Sequence, residues 1–435
     1  MRILVLDSIH GGKVIAEHLS SRGHETDLID VYRHADGISP ETAKTRTYDL
    51  IAAPVHLDPD FPLLREIKAP IVTHHAVVRW LLNEALSNFS TPSARPSIPK
   101  PSGPVIEITG KQGKTTTAAA LSFLMPGPGL LHSSAGVIRY EAGEMAGKIP
   151  GKVPGKEPGK ILERYSITPA SLLSVCTKHH TGGWLISEVS LGFCGIGTLG
   201  ILTSFLDYPV ANGKKSALAF KTGQSHLVKT VLVPPGGKLP HDGCVDVSDL
   251  VYVSGRTAHY QYGDIKGEFT NPLLLLPGYK TPLMLAAGAA LLLGTDPAGL
   301  SGFSALPGRM EVTEDGQYTI VDNSNSGTCL DTTLDAFRYG KEIAGDKPVT
   351  LVIGQESASV CENFSTGEII SSISGTSPKD VILVLGDERI MKEEIIRYCA
   401  NNGVLLTLAD SAGEGLQKAR SLENPLIILS VKRWK

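Results

Sequence analysis

The sequence predicts an α/β protein of three consecutive units, built on parallel sheets covered by helices. Three observations lead there. At 435 residues the chain is too long for one core, and about three domains are expected at ~150 residues each. Short apolar runs of strand length alternate with helical patterns, as parallel sheets require. A stretch rich in Ser and Pro at 87–104, SNFSTPSARPSIPKPSGP, reads as a connection between units.

Composition narrows the class. Hydrophobic residues make up 42% of the chain, ample material for packed cores. Lys+Arg 41 against Asp+Glu 44 leaves a net charge of -3, which argues against a nucleic-acid partner held by a basic domain. The cysteines (Cys176, Cys194, Cys244, Cys329, Cys361 and Cys399) are scattered without a CxxC pair, and read as isolated thiols in a reducing compartment. The apolar run in MRILVLDSIHGG is short for a signal sequence. The most membrane-like stretch, 283–293, is about half of the ~20 residues that a span needs. A cytoplasmic protein without a membrane partner is expected, with its oligomeric state left open.

In the first unit RILVL reads as a strand. A Gly11-Gly12 turn and a helical pattern through Ser21 follow, and ETDLIDVY, YDLIAAP and APIVTHH supply further strands. The middle unit opens on VIEITGKQGKTTTAAALSFLM. Beyond it GKIPGKVPGKEPGK, at 147–160, repeats Pro, Gly and Lys with a four-residue period. Proline recurs there too often for a helix or a central strand, so the segment reads as an extended basic loop. A solvated spacer is its first interpretation and attraction of an anionic substrate its second. Strands recur at GWLIS, LGILTSF, TVLVPP and LVYVS, before the helix TPLMLAAGAALLLG. Past Leu306-Pro307-Gly308 a third alternating unit carries YTIVD, PVTLVIG, VILVLG, VLLTL and LIILSV.

Chemistry concentrates in IEITGKQGKTTTAAA. A strand that leads through a glycine turn into a helix aims backbone N–H groups and the helix's positive end at one point, which suits phosphate oxygens. Gly110 and Gly113 permit the turn, and Lys114 can reach terminal phosphates. Thr115 sits where a hydroxyl ligates Mg²⁺. A phosphate loop that transfers needs a metal-holding carboxylate at a neighbouring strand end, and Glu188 in WLISEVSLGF supplies one. In the first unit His10, Gly11 and Gly12 form a strand-end glycine loop, and His74-His75 lie at another strand end. Open α/β sheets bind ligands at such places. The dinucleotide pattern G-x-G-x-x-G is absent, and no metal-ligand spacing is evident. A lone histidine is by default a satisfied core or surface residue; several at comparable sheet edges are candidates for contacting a substrate's carboxylates, with Lys13, Arg33 and Arg79 as possible partners.

Gly-x-x-Gly-Lys-Thr-Thr-Thr, then Glu-Val-Ser after a strand, then Leu-Pro-Gly-Arg-Met-Glu and the loop VDNSNSGT together resemble the Mur ligases. These are ATP-dependent enzymes of peptidoglycan precursors and folylpolyglutamates. The resemblance implies a Rossmann-like N-terminal substrate-binding domain (1–100), a central P-loop ATP-binding domain (101–304) and a Rossmann-like C-terminal ligase domain (305–435). It implies ATP and Mg²⁺, with phosphorylation of a substrate carboxylate and displacement of the phosphate by a nucleophile. Carried over, Gly110, Lys111, Gly113, Lys114, Thr115 and Thr116 bind the triphosphate, and Thr115 with Glu188 holds Mg²⁺. Arg309 reaches the γ-phosphate, Asp322 holds the ribose, and Asn325 and Ser326 lie near the nucleotide. Where the family usually has Thr-Asn and Asp-His, this chain has Thr203-Ser204 and Asp207-Tyr208. Lys221 is the nearest fit to the family's carbamylated lysine, and Lys215 the runner-up.

These departures, with THHAVVRWLL, DNSNSGT and the terminal VKRWK, resemble the branch of methanogenic archaea that completes coenzyme F(430). That branch implies activation of a propionate on a nickel tetrapyrrole, the nickel being part of the substrate, and ring closure by a carbon nucleophile. The histidine loops, His10, Gly11, Gly12, His74 and His75, would then meet the tetrapyrrole. An amide-forming ligase that adds an amino acid is the alternative, and an ATP-driven switch without ligation the third possibility.

Overall fold

Four short segments at the start of the chain become four parallel strands in the order Glu25–Ile29, Arg2–Leu6, Leu50–Ala53, Ile71–Thr73. This is a computed structural model, and it describes residues 1–33, 36–83, 102–141, 160–179, 182–356, 363–386 and 390–433. The Ser/Pro-rich connection (except 102–104) and nearly all of the Pro-Gly-Lys repeat lie outside the described residues. After Arg2–Leu6 the chain moves to one side of that strand, then returns to the other. The sheet's order therefore reverses between Arg2–Leu6 and Leu50–Ala53, and a crevice opens at their carboxyl ends.

The second sheet has eight strands, and the phosphate-loop strand Val105–Thr109 lies inside it, between Leu199–Leu202 and Trp184–Glu188. Every residue of Val105–Thr109 is buried, as befits a parallel strand covered on both faces. One edge departs from the expected parallel pattern: Gly129–Ser133 pairs antiparallel with Gly136–Tyr140, which pairs antiparallel with Lys160–Glu163. LVYVS belongs to a separate antiparallel sheet, Val251–Ser254, Thr257–Tyr262 and Ile265–Thr270.

One apolar core joins the first two sheets. Ile3, Val5, Ile15 and Leu19 share it with Val77, Val78 and Leu81, and with Leu172, Leu173 and Val175 of the helix Ser171–Lys178. Met1–Leu274 and Tyr279–Phe303 accordingly form one compact unit, and Leu275–Gly278 with Ser304–Lys435 another. The second unit carries a six-stranded sheet in the order Glu311–Asp315, Tyr318–Asp322, Leu426–Lys432, Val349–Gln355, Asp380–Leu385, Leu405–Ala409; all neighbours are parallel except the first pair. No helix among the described residues is long and apolar enough to cross a membrane.

Candidate active site

The phosphate loop is shaped by two glycines in backbone conformations that L side chains rarely adopt, φ 147° at Gly110 and 85° at Gly113. A side chain at Gly110 would also collide with the Thr203 hydroxyl. Gly113 caps the helix Lys114–Leu124, whose first N–H groups thereby face the turn. Lys114 Nζ donates to the carbonyls of Gly110 (2.9 Å) and Lys111 (3.2 Å), so the ammonium is folded over the loop. Thr116 is buried behind it.

The neighbouring strand ends hold the loop in place. Thr203 Oγ1 donates to the Gln112 carbonyl at 2.6 Å, and Ser204 Oγ accepts from Lys111 N at 3.0 Å. The pair that departs from the family's Thr-Asn thus forms the floor of the turn. Glu188 ends the strand beside Val105–Thr109, in register with Ile108, and is buried. Its Oε1 accepts from Ser134 N at 3.4 Å, and Ser134 Oγ lies 3.3 Å from Thr115 Oγ1. Thr115 and Glu188 are therefore brought together through Ser134, which sits in the turn after Gly129–Ser133. Sequence reasoning missed Ser134; its one signal is the Ser-Ser step at the end of an apolar run.

Lys221, on the helix Ala217–Gly223, is buried against Tyr208: Nζ donates to Tyr208 Oη at 3.3 Å and stands 4.4 Å from the ring centre. Lys111 Nζ stands 5.9 Å from the same ring. Burial, and then the positive charge of Lys114, lower the Lys221 ammonium to about 8. Lys215 is placed differently, with Nζ donating to the carbonyls of Val55 and Leu57, both at 3.1 Å.

At the crevice of the N-terminal sheet, His10 Nδ1 lies 2.7 Å from Asp7 Oδ2. Gly12 donates its N–H to the Asp7 carbonyl at 3.0 Å, and a side chain at Gly11 would collide with Ala170. The two glycines thus let this loop close on itself and on the central part of the unit. His74 and His75 open the helix His74–Leu82, which Thr73 caps by accepting from Ala76 N. The pair diverges. Electrostatically His74 feels Asp7 and His56, while His75 Nε2 donates to the Ser190 carbonyl at 2.9 Å and its ring lies 5.7 Å from Phe220. Burial lowers both imidazoles to about 4, so both are neutral at pH 7.

The remaining candidates gather in the C-terminal unit. A side chain at Gly308 (φ 68°) would meet the Ser324 carbonyl at 2.5 Å, so the turn that carries Arg309 lies on the loop 322–328. Asn325 Nδ2 donates to the Gly308 carbonyl at 2.8 Å, while its Oδ1 accepts from Gly327 N at 2.8 Å, bracketing Ser326. Asp322 Oδ1 accepts from Ser324 N at 2.8 Å, and Oδ2 lies 3.6 Å from Arg433. Arg309, Asp322, Asn325 and Ser326 are thus brought to one strand end, with Arg433 from the terminal VKRWK as an unforeseen companion.

In sequence and in fold the chain is similar to known proteins. Residues 312–433 match the family model described as the C-terminal domain of coenzyme F430 synthetase CfbE. The chain is 29% identical to coenzyme F(430) synthetase of Methanosarcina acetivorans over 506 aligned positions, covering 100% of this chain and 99% of that protein. Among solved structures, UDP-N-acetylmuramate-alanine ligase MurC of Thermotoga maritima superposes with a TM-score of 0.50 at 14% identity, over 99% of this chain and 95% of that one. A bifunctional folylpolyglutamate synthase/dihydrofolate synthase of Yersinia pestis gives 0.50 at 15% identity, over 82% and 90%. The chain has the Mur-ligase-like α/β fold, and along its whole length it resembles coenzyme F(430) synthetase, as the sequence motifs led us to expect.

Proposed function

We propose that this chain is an ATP-dependent ligase that activates a propionate carboxylate of a nickel tetrapyrrole, seco-F430 acid, and closes a carbocyclic ring to give coenzyme F(430), releasing ADP and phosphate. The observation that carries the ATP-dependent step is the glycine-turned phosphate loop, with Thr115 and Glu188 joined through Ser134 beside it. The choice of substrate rests on the full-length likeness to coenzyme F(430) synthetase.

In this reading the N–H groups of the loop and Lys114 bind the triphosphate, and Arg309, Asp322, Asn325 and Ser326 take the nucleotide roles that the family resemblance gives them. Thr115 and Glu188 offer a hydroxyl and a carboxylate, hard oxygen donors that fit Mg²⁺. When bound, the ion would offset the charge of the phosphates. A carboxylate oxygen of the substrate attacks the terminal phosphorus, the bond to the bridging oxygen breaks, and ADP leaves. A ring carbon that has given up its proton then attacks the acyl carbon and expels phosphate. Lys221 is proposed as the carbamylated lysine, because a partly neutral amine reacts with carbon dioxide and the carbamate would gain the nearby charges of Lys111 and Lys114. The domain limits 1–100, 101–304 and 305–435 are proposed with these roles, and His10, Gly11, Gly12, His74 and His75 for the tetrapyrrole's side.

The test is turnover with ATP and the seco acid and no added amine. ADP and phosphate should form, and oxygen isotope placed in the substrate's carboxylate should appear in the phosphate. Turnover that requires an amino acid would replace this reading with the amide-forming one.

A further inference from the structure

The carboxyl ends of three of the four N-terminal strands bring together side chains that no sequence spacing connects. Asp7 and His10 follow the strand Arg2–Leu6, His56 follows Leu50–Ala53, and Tyr32 follows Glu25–Ile29. The first three straddle the point where the sheet's order reverses, which is where open α/β sheets take ligands. Asp7 Oδ2, His10 Nδ1 and His56 Nε2 form a triangle with edges of 2.7, 3.5 and 3.3 Å. Ligand atoms each ~2.0–2.1 Å from a tetrahedral metal ion stand roughly 3.3 Å apart, so this triangle is close to one face of such a coordination sphere.

From these distances the geometry points to a binding site for a divalent first-row transition-metal ion, held by Asp7, His10 and His56 with its remaining positions open. Two imidazoles and one carboxylate suit zinc, cobalt or nickel and not magnesium, which demands an oxygen cage. Access is graded: the Asp7 side chain is fully buried, while those of His56 and His10 are 25% and 43% exposed. An ion can therefore arrive from solvent and meet a fixed anion at the base.

Each ligand is also held by its surroundings. Asp7 has a left-handed backbone (φ 78°), and its Oδ1 accepts from Ile9 N and His10 N at 3.0 and 3.1 Å, leaving Oδ2 for the triangle. Strain of this kind persists where the surroundings over-determine it, and it clusters at functional sites. The loop of His56 is tied down on both sides. Lys215 takes the carbonyls of Val55 and Leu57, and Lys214 pairs with Asp58 and Asp60. The Tyr32 ring stacks 5.8 Å from His56 and meets His10 edge-on at 5.4 Å, which fixes both imidazole planes. The site does not depend on the ligase reading, since the metal alone probes it.

The experiment uses the full chain, stripped with chelator and titrated with Co²⁺ while its visible absorption is followed. One equivalent should give a ligand-field band, zinc should displace it, and millimolar Mg²⁺ should not. His56→Ala and His10→Ala should each weaken binding more than about tenfold. His56 is partly exposed, so its variant should keep the parent's thermal midpoint and circular dichroism; His56→Gln serves if the alanine does not fold. Absence of a band in the parent chain would overturn the proposal, as would cobalt affinity unchanged in a folded His56 variant, leaving a hydrogen-bonded network only.

Discussion

Lys114 is the side chain on which the phosphate-loop reading can be broken most simply. Its ammonium donates to the loop carbonyls of Gly110 and Lys111, and Lys114→Ala should leave the fold intact. ADP release should fall at least about a hundredfold, as for loss of a charge aimed at a developing phosphoryl transition state; near-parental release would remove the assignment. Lys221 makes a second test, with a defined pH dependence. Its folded-state value of about 8 lies below the ordinary 10.5, so the neutral, reactive amine grows as pH rises through about 8. In labelled bicarbonate, a carbamate signal should therefore increase from about pH 7 to about pH 9 and be missing in Lys221→Ala. A signal that persists in the variant would place the modification elsewhere. The loop residues were legible because 110–116 are contiguous and their chemistry is local. The Asp7–His10–His56 cluster was not: 46 residues separate the two histidines, and only the pairing of Arg2–Leu6 with Leu50–Ala53 brings their loops together.

The strand Val105–Thr109 shows how an element that delivers a functional loop is itself anchored. Its central Glu107 is buried, and its two oxygens accept N–H groups from Cys194 (2.6 Å), Gly195 (3.3 Å), Ile196 (2.7 Å) and Gly197 (2.9 Å). Glu107 therefore stitches the segment 194–197 beneath the strand that ends in the glycine turn. Glu107→Gln would keep the volume but turn an amide N–H toward donors, leaving some of them unsatisfied. A loss of about 2–4 kcal/mol is expected from a urea unfolding midpoint; a change within error would show that the carboxylate is dispensable. Sequence reading missed this role because a glutamate inside an apolar run looks like an interruption. The same cause hid Gly129–Ser133 and Gly136–Tyr140. Their runs are broken by His132 and Arg139, and His132 is accommodated by the Ser187 hydroxyl at 2.8 Å and the Ser166 carbonyl at 3.1 Å. By contrast, the strands of the C-terminal unit from Tyr318–Asp322 onward are broken in their interiors by nothing more polar than an uncharged Thr, Ser or Gly, and each was readable from its residues alone.

At the scale of the whole chain, histidine is distributed unevenly enough to separate the two compact units by acid. All 13 histidines precede residue 304, and the stretch 304–435 has none. His74, His75 and His132 are buried and lowered by that burial to about 4. An unfolded histidine titrates near 6.5, so between these values the unfolded chain binds more protons than the folded one. Stability falls as pH drops through that window, by up to about 3 kcal/mol for each such histidine once pH is below 4. Asp7 acts in the same direction at still lower pH: burial raises it, but the bonds from His10 and His56 prevail and hold it well below the usual carboxylate range. In the C-terminal unit burial raises Asp335, so protonation there favours the folded form instead. Hydrogen exchange read by mass spectrometry, corrected for the intrinsic pH dependence of exchange, should therefore show protection lost first in Met1–Leu274 as pH goes from about 7 to about 5, with 304–435 little changed. Equal loss in both, or earlier loss in 304–435, would mean that these imidazoles are not buried neutral in solution.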